Sequence, residues 1–532
     1  MSKVIAKRTD FFNKGRIIGI GLLILFFLSR IFFVNAKEVF FDSKEYLSLF
    51  ANPSLFKAIA MGHTPIHEGY ILLFWPVYHI AGLYIQNPSY AVVLGQILLA
   101  VVTIYCYYKC IIFISNKTIA LLSTFIIALT PLFWITNVTI TLEISYLSSF
   151  FLSLYFLTLY LAKEKLYILL LSFLFFGFSF STYSAVLLWL PVYLAFVFFE
   201  KRKLFVKIFI STGLFLCLTL IARILILSEI FKATPLVILH NFYLSNVSDA
   251  GTIPNNLHGL LIRIRNFIPV LRGYTNLVFI ISIFSLILSF FKNKKVFFIG
   301  LLWIIPVIYT NQWWDSLFMG RYSILAGFGF SFLAGYFINR YRFFVPILIL
   351  YILFVSLPAL FLLRTDPPYM QEEYFAKSLP KNSLLIESHF AIPQEENCCQ
   401  LKILGVNRPD LGNAKLTNAI NYYLETKRPV FVSSAALSDP YGLYTGPYLH
   451  PLSLSYDHPF QLSPLIIKYK WKVYKIINKH DNLIIYKIIA PGKSQYPPVA
   501  NMQRSNRRLD YYDPITRFWW YIQDLLGSGK KE

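Results

Sequence analysis

Along roughly the first two thirds of the chain, runs of about 18 to 24 nearly uncharged residues alternate with short polar or basic stretches; 17–34, 204–227 and 343–363 are examples. At 1.5 Å of rise per residue, a helix of that length matches a hydrocarbon core of about 30 Å. A helix is also the one spanning form that satisfies its backbone within a single segment. About eleven such helices are predicted, over 17–34, 90–109, 118–135, 144–162, 166–181, 184–199, 204–227, 270–291, 296–311, 322–339 and 343–363. Lys3, Lys7, Arg8, Lys14 and Arg16 precede the first run, and no small-residue cleavage site follows it, so it reads as a retained span. Beyond 364 the pattern changes to shorter apolar runs, more charge and many prolines. Segments 383–387, 429–433, 471–477 and 482–488, rich in β-branched residues and bounded by turn formers, predict strands, and 418–426 predicts a short helix. The expected architecture is an all-α polytopic membrane domain over 1–364, a small α/β domain over 365–490 and a basic, aromatic tail over 491–532, without internal repeats.

Composition agrees: 57% of the 532 residues are hydrophobic and 14% charged, against about 25% charged in soluble domains. The net charge of +23 does not signal nucleic acid, because the basic residues sit in short clusters between apolar runs. These clusters are Lys109/Lys117, Lys163/Lys165, Lys201/Arg202/Lys203, Lys292/Lys294/Lys295 and Arg340/Arg342, with two runs between each neighbouring pair. All five therefore fall on one side, and the positive-inside rule makes that side cytoplasmic, together with the N-terminus. A bacterial plasma membrane is the expected location, with the C-terminal domain extracytoplasmic. The same parity excludes 70–85 as a full crossing. That stretch is short and flanked by Pro65, Pro76 and Pro88, so it predicts a re-entrant or interfacial helix within a first outer loop over 35–89. The five cysteines form no disulfide framework or metal motif.

Ionisable groups at span ends are costly to bury and therefore mark candidate sites. Asp42, Glu45, His63, His67 and Glu68 lie in the first outer loop, Glu143 opens the fourth span, and Ser181–Ser184 with Tyr183 form an outer turn. Trp313, Trp314, Asp315 and Arg321 precede the tenth span, and Arg263 and Arg265 lie in the long outer loop 228–268. Plain readings exist: Asp42 and Glu45 can solvate an interfacial helix, Glu143 suits a helix N-terminus by its dipole, and the tryptophans suit an interfacial belt. His63 and His67 are four apart, but Thr64-Pro65 between them disfavours the helix a metal pair needs. Asn137-Val138-Thr139 and Asn246-Val247-Ser248 match glycosylation sequons on the outer side.

Asp42-Ser43-Lys44-Glu45-Tyr46, then Gly62-His63-Thr64-Pro65 and Gly69-Tyr70, resembles the first-loop signature of GT-C membrane glycosyltransferases. Thr141-Leu142-Glu143-Ile144-Ser145-Tyr146-Leu147 is similar to an Ala-Glu-Val-Tyr-Ala-Leu motif, and Gly320-Arg321-Tyr322 to the Arg-Tyr that opens a late span. Arg428-Pro429-Val430-Phe431 also looks like an outer-domain strand of this group. More narrowly, the motifs resemble the TMEM260-like protein O-mannosyltransferases and their bacterial relatives. Lys44 stands for the usual glycine, Thr64 for the first proline, and Tyr183 where relatives often have histidine.

The resemblance implies inverting transfer of a hexose from a polyprenyl-phosphate donor to a hydroxyl of a protein, lipid or glycan acceptor on the outer face. It implies Asp42 as general base, Glu45 or Glu143 orienting the acceptor or the base, and Arg321, with Arg263 and Arg265, holding the donor phosphate. It places His63, Tyr70, Tyr183 and Tyr322 at the substrates. No cofactor is assigned, and a divalent metal ion is left open. Two other readings stand beside it, a flippase of a lipid-linked sugar and a surface-polysaccharide ligase or polymerase. A flippase would place its ionisable residues near mid-membrane and show repeated halves.

Overall fold

The apolar runs form helices because nothing in them competes with the backbone ladder, and polar capping residues or prolines end them. The computed structural model describes residues 21–36, 41–62, 67–240, 276–307 and 324–362, and further on 375, 378–387, 402–405, 413–434, 437, 467–478, 483–495 and 497–498. The helices are α1 Gly21–Ile31, α2 Phe41–Ala51, α3 Leu55–Met61, α4 Glu68–Gly82, α5 Ser89–Ile114, α6 Lys117–Leu129, α7 Pro131–Val138 and α8 Glu143–Lys163. They continue as α9 Leu166–Thr182, α10 Leu190–Glu200, α11 Phe205–Phe231, α12 Asn276–Lys292, α13 Lys294–Ile304, α14 Ile324–Arg340 and α15 Phe344–Leu362. Among the described residues three helices are long and apolar enough to cross a membrane, or up to four if a bent pair counts as one span. The interfacial helix expected over 70–85 is α4, two residues earlier at its start and three at its end. Residues 184–199, expected as one helix, open instead with a 3-10 turn, Ser184–Trp189, before α10.

The expected single span 118–135 is broken. α6 and α7 meet at a bend of 63°. Pro131, at the start of α7, has no N–H to donate and drives Thr130 into extended backbone, φ −63° and ψ 140°. The last carbonyls of α6 must then find other donors, since lipid offers none. Thr130 supplies two to Ile127, its N–H at 3.1 Å and its hydroxyl at 2.8 Å. The Arg30 guanidinium, reaching across from α1, donates to the Ala128 carbonyl, and the Ser356 hydroxyl of α15 donates to the Leu129 carbonyl at 2.7 Å. Arg30 is 1% exposed and packs its charge over Phe26 at 3.8 Å and Trp134 at 4.2 Å. Asn137 of α7 is fully buried, so the first sequon is not presented to solvent; Asn246 lies outside the described residues.

Ion pairs mark one end of the helical unit. Lys201 pairs with Glu164, and Lys295 with Glu200, which joins three of the loops that carry basic clusters. The Lys201 ammonium, by hydrogen bond and charge, holds the Glu164 carboxyl below its ordinary range. From Glu164, α8 runs back over about 20 residues, some 30 Å, to Glu143 at the other end.

The described residues from Phe361 onward, together with Phe41–Lys44 at the start of α2, form a separate unit. Its mixed sheet has the order β2-β1-β3-β5-β4, with β1 Leu384–Glu387, β2 Lys402–Gly405, β3 Val430–Ser433, β4 Tyr469–Asn478 and β5 Leu483–Pro491. β1 pairs in parallel with β2 and β3, whereas β3–β5 and β5–β4 are antiparallel. Helix α16, Asn413–Glu425, lies between β2 and β3 in the chain and lays Leu416, Ile420 and Tyr423 against Leu384, Ile386, Val430, Val432, Tyr486 and Ile488. Four strands and the helix fall on the expected segments. β2, Lys402–Gly405, lies outside the expected segments.

Close helix packing in lipid depends on small residues. A Cβ on Gly335 of α14 would stand 2.9 Å from the Ser123 backbone nitrogen and 3.1 Å from the Ile119 carbonyl oxygen of α6. Gly335→Val is therefore expected to destabilise the protein by about 1–3 kcal/mol, read as a lower melting temperature in detergent. An unchanged melt would show that α6 and α14 can separate freely.

Candidate functional site

At the end of the helical unit opposite the lysine pairs, the N-terminus of α4 meets the C-terminus of α9. The approach is close enough to require glycine: a Cβ on Gly69 would collide with the Thr182 hydroxyl. The His67 ring fixes the same junction, Nδ1–H donating to the Thr182 carbonyl at 2.9 Å, which makes Nε2 its basic nitrogen. Tyr183, the C-cap of α9, packs at 4.8 Å against the tilted ring of Tyr146 of α8 and lies 6.4 Å from His67. Tyr46 of α2 closes the group, edge-on to Tyr70 at 4.6 Å and 6.3 Å from His67.

Glu143 is the first residue of α8 and is fully buried. The loop before it, Thr139 to Leu142, is buried as well, which is costly unless its carbonyls are met. Gln96 of α5 donates from Nε2 to the Thr141 carbonyl and to the Tyr70 hydroxyl, the latter at 3.2 Å. The Thr141 hydroxyl donates to the Thr136 carbonyl at 3.2 Å, and the Asn35 N–H to the Val138 carbonyl at 2.8 Å. Glu143 is thereby held at a helix N-terminus, where the dipole favours a carboxylate, and within electrostatic reach of Tyr70.

One buried ion pair joins this end to α11. Glu68, the first residue of α4, takes a forked contact from Arg223, with Nη2 at 2.9 Å from Oε2 and Nε against Oε1. The guanidinium also lies over the Phe180 ring at 5.6 Å. Arg223 and Gln96 were not singled out from sequence. For Arg223 the signal was present, a lone arginine deep in the apolar run 204–227. A lone glutamine among apolar residues gives a weaker sign.

Of the expected site residues, the structure brings Glu143, Tyr70 and Tyr183 to this end. Asp42 and Glu45 lie on α2, whose Tyr46 enters the group. His63, Arg263, Arg265, Arg321 and Tyr322 lie outside the described residues. Among the described residues, no three His, Cys, Asp or Glu side chains gather as a metal site.

Residues 71–226 match the dolichyl-phosphate-mannose-protein mannosyltransferase family. The match runs from α4 through most of α11, across Gln96, Glu143, Tyr183 and Arg223, and covers less than a third of the chain. It meets the resemblance to membrane glycosyltransferases drawn from the motifs, without singling out the TMEM260-like group. No curated protein sequence matches the chain. Among solved structures the chain is similar to ArnT from Cupriavidus metallidurans bound to undecaprenyl phosphate, at 11% identity and a TM-score of 0.49, covering 88% of this chain and 97% of that one. It is also similar to the Archaeoglobus fulgidus oligosaccharyltransferase in complex with Zn and sulfate, at 12% identity and a TM-score of 0.43, covering 72% of this chain and 61% of that one. Both scores are below one half, too low to establish a common fold.

Removing one partner of a buried pair leaves a charge without compensation. Arg223→Leu is expected to cost about 3–5 kcal/mol, whereas Glu68→Leu with Arg223→Leu together should recover most of that loss. A double-mutant cycle by detergent melting measures the coupling. Additive losses in the cycle would mean that the two side chains act independently.

Proposed function

We propose that this protein is a GT-C-type glycosyltransferase of about eleven spans that moves a hexose from a polyprenyl-phosphate donor to a hydroxyl acceptor at the extracytoplasmic face. The observation that carries the proposal is the family match over 71–226, the stretch that supplies Gln96, Glu143, Tyr183 and Arg223 to one end of the helical unit. That end lies opposite the lysine-paired loops, which the charge bias assigns to the cytoplasm.

In this reading the acceptor oxygen attacks the anomeric carbon while the bond from that carbon to the phosphate oxygen breaks, with inversion. The acceptor proton passes to Asp42, which precedes Tyr46 by one turn of α2. An ordinary carboxylate is sufficient, because the proton leaves only as the new bond forms. Glu143 and Glu45 orient the acceptor. Arg321, Arg263 and Arg265 stabilise the charge that grows on the departing phosphate. His63, Tyr70, Tyr183 and Tyr322 bound the sugar, and the apolar α4 lines the path of the polyprenyl chain. A mannose-like donor is favoured by the match to the dolichyl-phosphate-mannose-protein mannosyltransferase family.

The test is transfer from a panel of radiolabelled polyprenyl-phosphate hexoses by purified wild type, Asp42→Asn and Glu143→Gln in detergent, with donor binding measured alongside. Asp42→Asn is expected to lose about 10²–10⁴-fold in rate with binding retained, and Glu143→Gln to lose rate as well. Equal activity in all three would remove these carboxylates from the chemistry. Flipping of the lipid by wild type in vesicles, with no transfer from any donor, would replace the enzyme with a transporter.

A further inference from the structure

The sheet of the C-terminal unit carries α16 on one face, and the residues of β4 and β5 that point to the other face are unusual. Lys470, Lys472 and Lys475 of β4 and Lys487 of β5 all lie there, and neither strand contains an Asp or Glu. Lys472 and Lys487 stand directly opposite each other in the ladder, an arrangement that costs stability. Tyr474, at a bulge in β4, shares this face, packing at 4.8 Å on Phe431, while the Lys475 ammonium lies 4.6 Å from the Phe375 ring. Tyr474 is 42% exposed, whereas Val473 and Ile476, opposite Tyr486 and Ile484, lie on the α16 side of the strand.

Edge strands commonly carry lysines to prevent pairing with other chains. That accounts for β4, which is the edge, but not for Lys487 on the interior strand β5, set against another lysine. Four cations without a carboxylate, with the exposed Tyr474 ring among them, match an anionic surface. Such a surface is within reach. The apolar helix α15 ends at Leu362 and β1 begins at Leu384, so about 20 residues, at most roughly 70 Å, separate them whatever their conformation.

We infer that the lysine face of the β4–β5 ribbon docks on the anionic lipid headgroups of the membrane in which the protein sits. The docking restrains the C-terminal unit at the bilayer surface and compensates the repulsion between Lys472 and Lys487.

The experiment is amide hydrogen exchange of the full-length protein in phosphatidylcholine nanodiscs with and without phosphatidylglycerol. Wild type is compared with Lys470→Gln/Lys472→Gln/Lys475→Gln and with the corresponding triple arginine variant, and α16 serves as the folding control. Exchange in β4 is expected to slow when phosphatidylglycerol is present, to lose that effect by about fivefold per lysine neutralised, and to lose it in high salt. The arginine variant keeps the effect, and α16 exchanges alike throughout. The inference is overturned if β4 exchanges equally in both lipids, or if the glutamine variant keeps its protection. Protection by a soluble anionic polysaccharide, without any by phosphatidylglycerol, would replace the bilayer with a glycan and overturn it as well.

Discussion

A backbone carbonyl or amide placed in hydrocarbon must find its partner inside the protein, and much of this structure follows from that constraint. Where Pro131 interrupts the ladder between α6 and α7, three carbonyls are met by the Thr130 N–H and hydroxyl, the Arg30 guanidinium and the Ser356 hydroxyl. Where the chain turns from α7 into α8 as a buried loop, Gln96, Asn35 and Thr141 supply the donors. Each solution ties distant segments together: α1 and α15 to the break, α5 to the loop. The placement of Glu143 is a product of the second. Its carboxylate is where it is because the carbonyls just before it have fixed partners.

Electrostatics then sorts the two ends of the helical unit. One end holds lysine–glutamate pairs in partly exposed loops, which contribute little to stability and rather record which loops are neighbours. The other holds, besides an exposed local pair of Lys232 with Glu229 at the end of α11, a forked pair, Glu68 with Arg223, almost wholly out of solvent. α11 is largely exposed along its length, and Arg223 is one of its few buried residues. The pair therefore binds a peripheral helix to the segment that carries His67, Gly69 and Tyr70. A charge in an apolar run thereby bears on the geometry of the candidate site.

The run of apolar helices was legible because length and hydropathy are strong signals in lipid. Most helix bounds fall within a few residues of the apolar limits. The break at Thr130 was not foreseen, although Pro131 stood in the sequence, since hydropathy alone does not register a missing donor. At the site, Glu143, Tyr70 and Tyr183 were legible as polar or aromatic groups at span ends. Arg223 was visible as an arginine in an apolar run, but its partner Glu68, 155 residues away, was not, and Gln96 acts on a carbonyl 45 residues away; no periodicity reports such distances. In the C-terminal unit the opposition of Lys472 and Lys487 depended on register, which two bulged strands do not reveal in advance.

Extracytoplasmic transfer requires that the end bearing Glu143 face away from the cytoplasm and that the end with the Lys201–Glu164 and Lys295–Glu200 pairs face it. Single cysteines at Gln86, between α4 and α5, and at Lys165, between α8 and α9, test it in a background lacking Cys106, Cys110, Cys217, Cys398 and Cys399. With a membrane-impermeant maleimide on intact cells, Gln86→Cys should label at once and Lys165→Cys only after lysis. Labelling of Lys165→Cys in intact cells, with Gln86→Cys protected, would invert the topology and contradict extracytoplasmic transfer.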